Sequence, residues 1–261
     1  MKSEHHPARV LAWSENAVNA PPRELPSLAV WRPEGTTVAI GLSQQPDIEL
    51  DVAAMAADKV EMVRRQSGGG AVLLYRGVLC WEAWSDLDHV TRAENSDGIQ
   101  ATYRFLSRPI REALATFGLN AVHAGVCDIS IPSENATLRK IAGTAQLRRK
   151  RQALVHGSLL VSPDLALLAR YLKFPSSQPE YRDGRPHRDF CGSLAESIHA
   201  TDAQTNALLP AVAEKIMECA VRSGWHAASI PAEPTKEEAL LEEEKYRNPE
   251  WNWLKKRAFS P

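Results

Sequence analysis

A chain of 261 residues, 44% of them hydrophobic and 24% charged, has the length and composition of a globular protein with one substantial core. Its formal net charge of −1 gives no support for a nucleic-acid-binding or membrane-surface protein. It contains no apolar run near the roughly 18 residues of a membrane span, and its polar start lacks a signal-peptide core, so we expect a cytoplasmic protein. The four cysteines are widely spaced without a CxxC pair, which argues against a zinc site or a disulfide framework.

The first half of the chain predicts several strands around a glycine-rich turn. Residues 8–31 hold short apolar stretches that a polar, proline-containing segment over residues 14–26 interrupts. Asp51 is predicted to cap the first helix, and Pro109 is the internal breaker of the second. The predicted helices span residues 47–58 and 98–117. The predicted strands span residues 36–41, 60–65, 71–75 and 79–84.

The second half predicts a strand pair, a further strand and three helices. Pro163 is placed at the start of the first of these helices, and Gly224 ends the second. The acidic run over residues 237–244 is expected to be a solvated helix face. In chain order, the elements are strands over 126–131, 138–146 and 153–161, a helix over 163–172, a loop over 174–189, and helices over 201–224 and 235–246. This order predicts an α+β fold, a mostly antiparallel sheet with packed helices.

The first motif of chemical interest is RRQSGGGAV at residues 64–72. A glycine triplet between two strands lets the backbone approach a ligand closely, and its N–H groups can bind anions. The two arginines beside it add a fork for carboxylate or phosphate. A flexible hairpin turn explains the glycines equally well, because turn glycines are common.

The second and third motifs are RKIAGTAQ at residues 139–146 and VHGSLL at residues 155–160. Lys140 precedes a run of small residues and is suited to hold a carboxylate or phosphate and to neutralise charge in a transition state. A surface lysine on a strand edge is the simpler interpretation. His156 and Gly157 head an apolar strand and shape one end of a pocket, or they are structural residues of the core.

Together these segments resemble the catalytic domain shared by lipoate–protein ligases and octanoyltransferases, a family distantly related to biotin–protein ligases. The similar stretches are RRQSGGGAV at 64–72, RKIAGTAQLRRKRQALVHGSLL at 139–160 and EKYRNPEWNW at 244–253. The resemblance covers residues 28–256. It implies one catalytic domain of the biotin/lipoate ligase type over residues 1–261, without the C-terminal accessory domain that many ligases carry.

The resemblance also implies roles for individual residues. Lys140 is expected to be the catalytic lysine that contacts the acyl carboxyl group, and Asp128 falls where the ligases place an aspartate near the nucleotide phosphates or their magnesium ion. No side chain is predicted to be a ligand of a resident metal. The acyl tunnel is expected to be apolar, since each buried CH₂ gains about 0.8 kcal/mol. The other residues expected to line the acyl and nucleotide sites are Arg65, Ser67, Gly68, Gly69, Gly70, Ala71, Gly143, Thr144, Ala145, His156 and Gly157.

The leading functional prediction is a ligase that uses ATP and Mg²⁺. It would convert lipoate or octanoate to an acyl-adenylate and pass the acyl group to a lysine of a lipoyl-domain protein. Two departures from the family pattern lie near the nucleotide. Cys127 stands where the ligases commonly have asparagine, and Gly77 is followed by Val78 rather than asparagine.

The rival prediction is ATP-independent transfer of octanoyl or lipoyl from an acyl carrier protein through a cysteine thioester. Cys191 resembles the Cys-Gly segment of one octanoyltransferase branch, and Cys127 lies near the nucleophile loop of another. The simpler interpretation of each thiol is a small buried hydrophobe, which is what most free cysteines are. A third prediction is a non-catalytic protein that binds a lipoylated partner.

The resemblance further implies a separate accessory subunit as a second partner. The basic run at residues 148–151 joins the strand of Lys140 to the strand of His156. If both strands line the pocket, this turn is predicted to lie at the mouth of the active site and to contact an acidic lipoyl domain.

Overall fold

The computed structural model describes residues 4–133 and 136–255. The strands β1 to β11, in chain order, are Glu4–His5, Ser27–Pro33, Thr37–Ile40, Glu61–Arg64, Val72–Leu74, Val78–Asp86, Val122–Ala124, Asp128–Pro132, Leu138–Arg148, Gln152–Leu160 and His226–Ala227. The helices α1 to α12 are Pro7–Asn19, Pro46–Glu49, Val52–Ala57, Leu87–Glu94, Ile99–Leu106, Arg108–Thr116, Leu165–Tyr171, His187–Phe190, Leu194–Ser197, Asp202–Arg222, Lys236–Leu241 and Pro249–Leu254.

The main sheet has eight strands, in the order β1-β2-β6-β10-β9-β8-β7 with β11 beside β2. Its central pairs, from β2 through β6, β10, β9 and β8 to β7, are all antiparallel, whereas β1 and β11 pair with β2 in parallel. A second sheet of three strands, β4-β3-β5, carries the glycine-rich segment between β4 and β5. The α+β prediction with a mostly antiparallel sheet is confirmed.

Two hydrophobic clusters lie on the two faces of the main sheet. Side chains alternate along each strand, so Trp81 and Val155 face a cluster with α5, α6 and α10. Cys80 and Leu154 face the other cluster, which contains α1 and the small sheet. His156, two residues from Leu154 on the same strand, therefore points toward α1 and the glycine-rich segment.

Two predicted helices are each divided into two shorter ones. The helix predicted over 47–58 breaks at Leu50, which takes an extended conformation and forms a β-bridge with Leu172. Asp51 then caps the second piece through Ala54 N, as predicted. The helix predicted over 98–117 breaks at Ser107, because Pro109 occupies the first turn of α6 rather than a helix interior.

Other helix boundaries also differ from the predictions. The helix predicted to begin with Pro163 begins at Leu165, and Asp164 caps it by accepting from Ala166 N. At the N-terminus, the first apolar stretch belongs to α1, which runs on to Asn19 inside the segment predicted to be an interruption, and the second stretch is β2. The acidic helix over 235–246 is α11 followed by a π-helical turn, Glu242–Tyr246, and Glu238 on it is buried rather than solvated.

The long loop predicted over residues 174–189 contains a 3₁₀ turn, Glu180–Arg182, and the start of α8. The segment 132–137, which joins the predicted strands over 126–131 and 138–146, lies partly outside the described residues. Across the part of the chain that the structure describes, helices long and apolar enough to cross a membrane are absent.

Candidate active site

Lys140 and Asp128 form an ion pair at the centre of the candidate site. They lie on the adjacent antiparallel strands β9 and β8, with 2.8 Å between Lys140 Nζ and Asp128 Oδ1. The other carboxylate oxygen, Oδ2, accepts a hydrogen bond from Tyr181 OH at 2.8 Å. Gly143 makes room for the ammonium, because a Cβ on this residue would lie 2.8 Å from Lys140 Nζ. The pair is therefore held in a fixed position over a small-residue strand.

The ammonium of Lys140 is charged at neutral pH. Burial acts to lower its pKa, but the negative charge of Asp128 and the nearby thiol of Cys191 outweigh burial and raise the pKa above its usual value. The Lys140 side chain is 23% exposed, on the side that faces the cavities. The alternative interpretation of Lys140 as an ordinary surface lysine is wrong.

A cavity with a largely apolar wall extends from Lys140 across the sheet. It passes from β9 over β10 and β6 to Trp31 on β2 and Leu11 on α1. Most of the predicted site residues lie on its wall. They are Arg65, Gly70, Ala71, Cys127, Asp128, Lys140, Gly143, Thr144, Ala145, His156 and Gly157.

Four predicted residues lie elsewhere. Ser67 is buried beneath the wall, where its Oγ lies 2.6 Å from His156 Nε2. Gly68 is exposed and Gly69 lines a neighbouring surface depression. Cys191 lines a second cavity that shares Lys140 and Asp128 with the first.

The arginines beside the glycine triplet hold the protein backbone rather than offering a fork to a ligand. Arg65 donates to the carbonyls of Ala39, Gly68 and Gly70 and to Ser67 Oγ. Arg64 is fully buried and donates to five main-chain carbonyls, at residues 41, 42, 44, 251 and 252. The predicted anion fork at these two positions is wrong, since their guanidinium groups anchor the glycine loop and the C-terminal helix.

The glycine loop lies unusually close to the end of β3. A Cβ on Gly41 would lie 2.1 Å from the carbonyl oxygen of Gly69, so only glycine fits there. Gly69 itself has a φ of +87°, in the region that favours glycine. The flexible-turn interpretation of the triplet is wrong, because close packing fixes the loop against the wall of the cavity.

Ser67, His156 and Glu82 form a buried polar chain behind the cavity wall. Arg65 Nε donates to Ser67 Oγ at 3.1 Å, and Ser67 Oγ shares a hydrogen bond of 2.6 Å with His156 Nε2. The opposite ring nitrogen, Nδ1, lies 3.5 Å from Glu82 Oε2. Gly157 provides bare backbone to the wall and makes room for Trp81 on the opposite face, where a Cβ would lie 2.2 Å from the ring.

The second cavity contains a buried arginine that the sequence did not identify. Arg182 is 4% exposed and is stacked between the rings of Phe174 and Phe190, at 4.9 and 4.8 Å. Its Nε donates to the carbonyl of Arg185, but its Nη2 has no hydrogen-bond partner among the described residues. Because a buried N–H of a guanidinium is costly to leave unpaired, this cavity is suited to an anion.

Both cysteines proposed as nucleophiles line the second cavity. The carbonyl of Cys127 accepts hydrogen bonds from the N–H and hydroxyl of Thr144, and Cys191 forms a β-bridge with Lys140. Burial raises the pKa of both thiols; Asp128 adds to the effect at Cys127, and the positive charge of Lys140 opposes it at both. Neither thiol is therefore activated as a thiolate at neutral pH.

Asp128, the carboxylate predicted to lie near the nucleotide phosphates or their magnesium ion, is held by two side-chain partners in this structure. Both oxygens of Asp128 are already engaged, by Lys140 and by Tyr181. Between residues 4 and 255, apart from the undescribed 134 and 135, no three His, Cys, Asp or Glu side chains lie together as metal ligands would.

The basic run at residues 148–151 lies at the far end of β9, not at the mouth of the site. It is eight residues from Lys140, or about 26 Å along an extended strand. Arg149 donates to Asn19 and Gln66, and Arg151 Nη2 lies 3.4 Å from Asp86. The turn therefore lies away from Lys140, and its contact with an acidic acceptor stays a prediction.

The residues missed by sequence reasoning differ in how visible they were. Glu82 stands inside an otherwise apolar strand, LCWEAW, and a lone carboxylate in such a strand is a detectable signal. Tyr181 and Arg182 lie in a segment predicted to be a loop, where no periodic pattern marks a buried side chain.

The sequence is similar to those of known proteins. A model of the lipoyl protein ligase A/B catalytic domain matches residues 6–217. A lipoate–protein ligase A of Bdellovibrio bacteriovorus is 29% identical over 235 residues, which are 87% of this chain and 62% of that protein. Subunit 1 of the lipoate–protein ligase A of Thermoplasma acidophilum is 28% identical over 83% of this chain and 80% of that protein. The octanoyltransferase LipM of Bacillus anthracis is 26% identical over 88% of this chain and 87% of that protein.

Solved structures share the fold. The bipartite lipoate protein ligase of Thermoplasma acidophilum, described with its E2 lipoyl domain, has a TM-score of 0.72 at 23% identity and covers 98% of this chain and 96% of that chain. A lipoate–protein ligase A bound with ATP has a TM-score of 0.69 at 24% identity, over 97% of this chain and 96% of that chain. The family model spans most of the chain, and the chain therefore belongs to the lipoyl protein ligase A/B catalytic-domain family.

Proposed function

We propose that this protein is a lipoate–protein ligase that forms an acyl-adenylate from ATP and lipoate or octanoate, and then acylates a lysine of a lipoyl domain. The observation that carries the proposal is the position of the Lys140–Asp128 pair, where two cavities of different character meet. One cavity is largely apolar and the other contains a buried arginine with an unpaired N–H. A reaction that joins a carboxylate to a phosphate needs such a junction.

The dimensions of the first cavity support an eight-carbon acyl chain. It crosses from β9 to β6, two strand spacings of about 4.8 Å each, and continues to Trp31 on β2. An extended eight-carbon chain is about 9 Å long. With its carboxyl group at Lys140, such a chain would reach β6, and burial of each CH₂ would gain about 0.8 kcal/mol.

The second cavity supports a nucleotide phosphate. Arg182 would meet the phosphate with its unpaired Nη2, and the rings of Phe174 and Phe190 hold the guanidinium in place. Lys140 is within reach of both cavities. ATP is a co-substrate in this proposal, and Mg²⁺ has no assigned ligands among the described residues.

The chemistry then proceeds in two steps. An oxygen of the acyl carboxylate attacks the α-phosphorus, forming the acyl–phosphate bond, and pyrophosphate leaves with the electrons of the broken P–O bond. The amine of the acceptor lysine next attacks the acyl carbon and loses a proton, and AMP leaves. Lys140, charged at neutral pH, stabilises the negative charge on the carboxyl and phosphate oxygens in both steps.

The relatives support the partners of this reaction. Two of them are named as lipoate–protein ligases, and a solved structure with the same fold belongs to a bipartite ligase described with its E2 lipoyl domain. We therefore propose a lipoyl domain as the acceptor, with a separate accessory subunit as a second partner.

A second candidate is ATP-independent transfer from an acyl carrier protein. The similarity to an octanoyltransferase and the positions of Cys127 and Cys191 beside Lys140 favour it. Burial, which raises the pKa of both thiols, argues against a thioester. Binding of a lipoylated partner without turnover is the least supported candidate, because it leaves the charged Lys140 at the cavity junction without a role.

The proposal is tested by incubating the purified protein with ATP and lipoate or octanoate in the absence of an acceptor. Mass spectrometry is expected to detect the acyl-adenylate and release of pyrophosphate. An acyl adduct on Cys127 or Cys191 from an acylated carrier protein, with no adenylate, would instead support the transferase.

A further inference from the structure

Glu82 is a buried carboxylate in the wall of the largely apolar first cavity. It lies on β6 with 2% of its surface exposed, and Cys80, Trp31 and Leu11 also line this part of the cavity. Its Oε2 is buried and has no hydrogen-bond partner among the described residues. His156 Nδ1 is 3.5 Å away and does not make a hydrogen bond with it. A carboxylate left in this state inside an apolar site is costly unless a ligand satisfies it.

The strand register places Glu82 at the far end of a bound acyl chain. Glu82 is directly opposite His156 on β10, which is opposite Ala145 on β9. The ammonium of Lys140 lies over Gly143, two residues from Ala145 on the same strand. Glu82 is thus two strand spacings across and two residues along from the carboxyl site, a separation of roughly 12 Å. An extended eight-carbon chain of about 9 Å spans most of this separation, so its far end would lie near Glu82.

The neighbouring imidazole of His156 does not satisfy this carboxylate. His156 cannot turn to pair fully with Glu82, because its Nε2 is already committed to Ser67 Oγ, which Arg65 holds in turn. The long contact of 3.5 Å between His156 Nδ1 and Glu82 Oε2 therefore leaves the carboxylate without a hydrogen bond among the described residues.

We propose that Glu82 selects acyl chains that carry a hydrogen-bond donor at their far end, either a hydroxyl or the thiols of a reduced dithiol chain. Plain octanoate and the closed disulfide ring of lipoate lack such a donor. This inference rests on the proposed function, because it assigns the first cavity to an acyl chain. It makes Glu82 a specificity residue whose effect falls on the choice of chain and not on the transfer chemistry.

The test is direct binding of free acids, measured by titration calorimetry without ATP or acceptor. The pairs compared are 8-hydroxyoctanoate with octanoate, and dihydrolipoate with lipoate, under reducing conditions for the thiols. Wild-type protein is expected to bind at least one donor-bearing acid at least about tenfold more tightly than its partner. Glu82→Leu is expected to remove or reverse this preference, and Glu82→Gln, which keeps an acceptor oxygen without the charge, to reduce it.

A matched control is Glu238→Leu, which removes another buried carboxylate, one that pairs with Arg9 and does not line either cavity. It is expected to leave the preference unchanged. Equal affinity of wild-type protein for both members of both pairs would overturn the role of Glu82 alone. A preference that persists in folded Glu82→Leu would do the same. Failure of all four acids to bind would overturn the acyl site itself, and with it the proposed function.

Discussion

The replacement of Lys140 by alanine probes the centre of the proposed site. Lys140 Nζ lies 2.8 Å from Asp128 and faces both cavities. Removing it deletes the cation that would neutralise the carboxyl and phosphate oxygens as charge develops. Loss of one such electrostatic partner typically costs about 3–4 kcal/mol in the barrier, or a factor of roughly 10² to 10³ in rate. Adenylate formation and acyl transfer should both fall by at least that factor.

The same replacement should leave the protein folded. Asp128 loses an ion-pair partner but keeps the hydrogen bond from Tyr181. We therefore expect the free energy of unfolding to fall by about 1–3 kcal/mol, less than the stability of a typical domain. Thermal unfolding should still show one cooperative transition.

The assay is ATP–pyrophosphate exchange with lipoate or octanoate, followed by acyl transfer to a lipoyl domain. Lys236→Ala, which removes an exposed lysine at the start of α11, is the control and should keep full activity. A fully active Lys140→Ala enzyme would refute the role assigned to this residue.

Three further predictions concern thiol reactivity, packing and pH. Because burial raises the pKa of Cys127 and Cys191, both should react slowly with iodoacetamide near pH 7 and faster above about pH 9; rapid labelling of either at neutral pH would contradict this. Gly157→Ala should lower the free energy of unfolding by about 1–3 kcal/mol, because the new methyl would lie 2.2 Å from an indole ring. In the control variant, Gly68→Ala, the new methyl meets nothing within 4 Å. Equal melting temperatures of the two variants would contradict this packing. Burial lowers the pKa of His123 to about 4, so the folded state keeps it neutral while the unfolded chain binds a proton below about pH 6.5. The contribution of neutral His123 to stability is thus complete above pH 6.5 and is lost as the pH falls toward 4. His123→Gln should flatten the pH dependence of the unfolding free energy in this window. An unchanged pH profile would contradict this role of His123.

Sequence patterns predicted those parts of the site that depend on local chain order. The strand carrying Lys140 follows the strand carrying Asp128, and such sequential strands usually pair. Gly143, in the run of small residues after Lys140, accommodates the ammonium. Asp51 capped its helix as predicted, because the capping bond spans only three residues.

The features that were mispredicted depend on contacts between distant segments. Leu50 breaks a helix because it pairs with Leu172, which lies 122 positions further along the chain. Arg64 resembled a ligand fork, but its acceptors are on the segment that follows β3 and on the C-terminal helix. Glu82 meets His156 only through the pairing of β6 with β10, and periodicity within one strand cannot reveal that partner.

The central claim, that the acyl group is activated by ATP and not by a cysteine, is tested most directly by one transfer assay. Wild-type protein and the Cys127→Ala/Cys191→Ala double variant are each incubated with lipoate or octanoate and a lipoyl domain, with and without ATP, and a parallel reaction contains octanoyl-carrier protein alone. The mass of the acceptor reports its acylation. We predict an acylated lysine in both proteins only when ATP is present. Acylation from the carrier protein without ATP, lost in the double variant, would contradict the account.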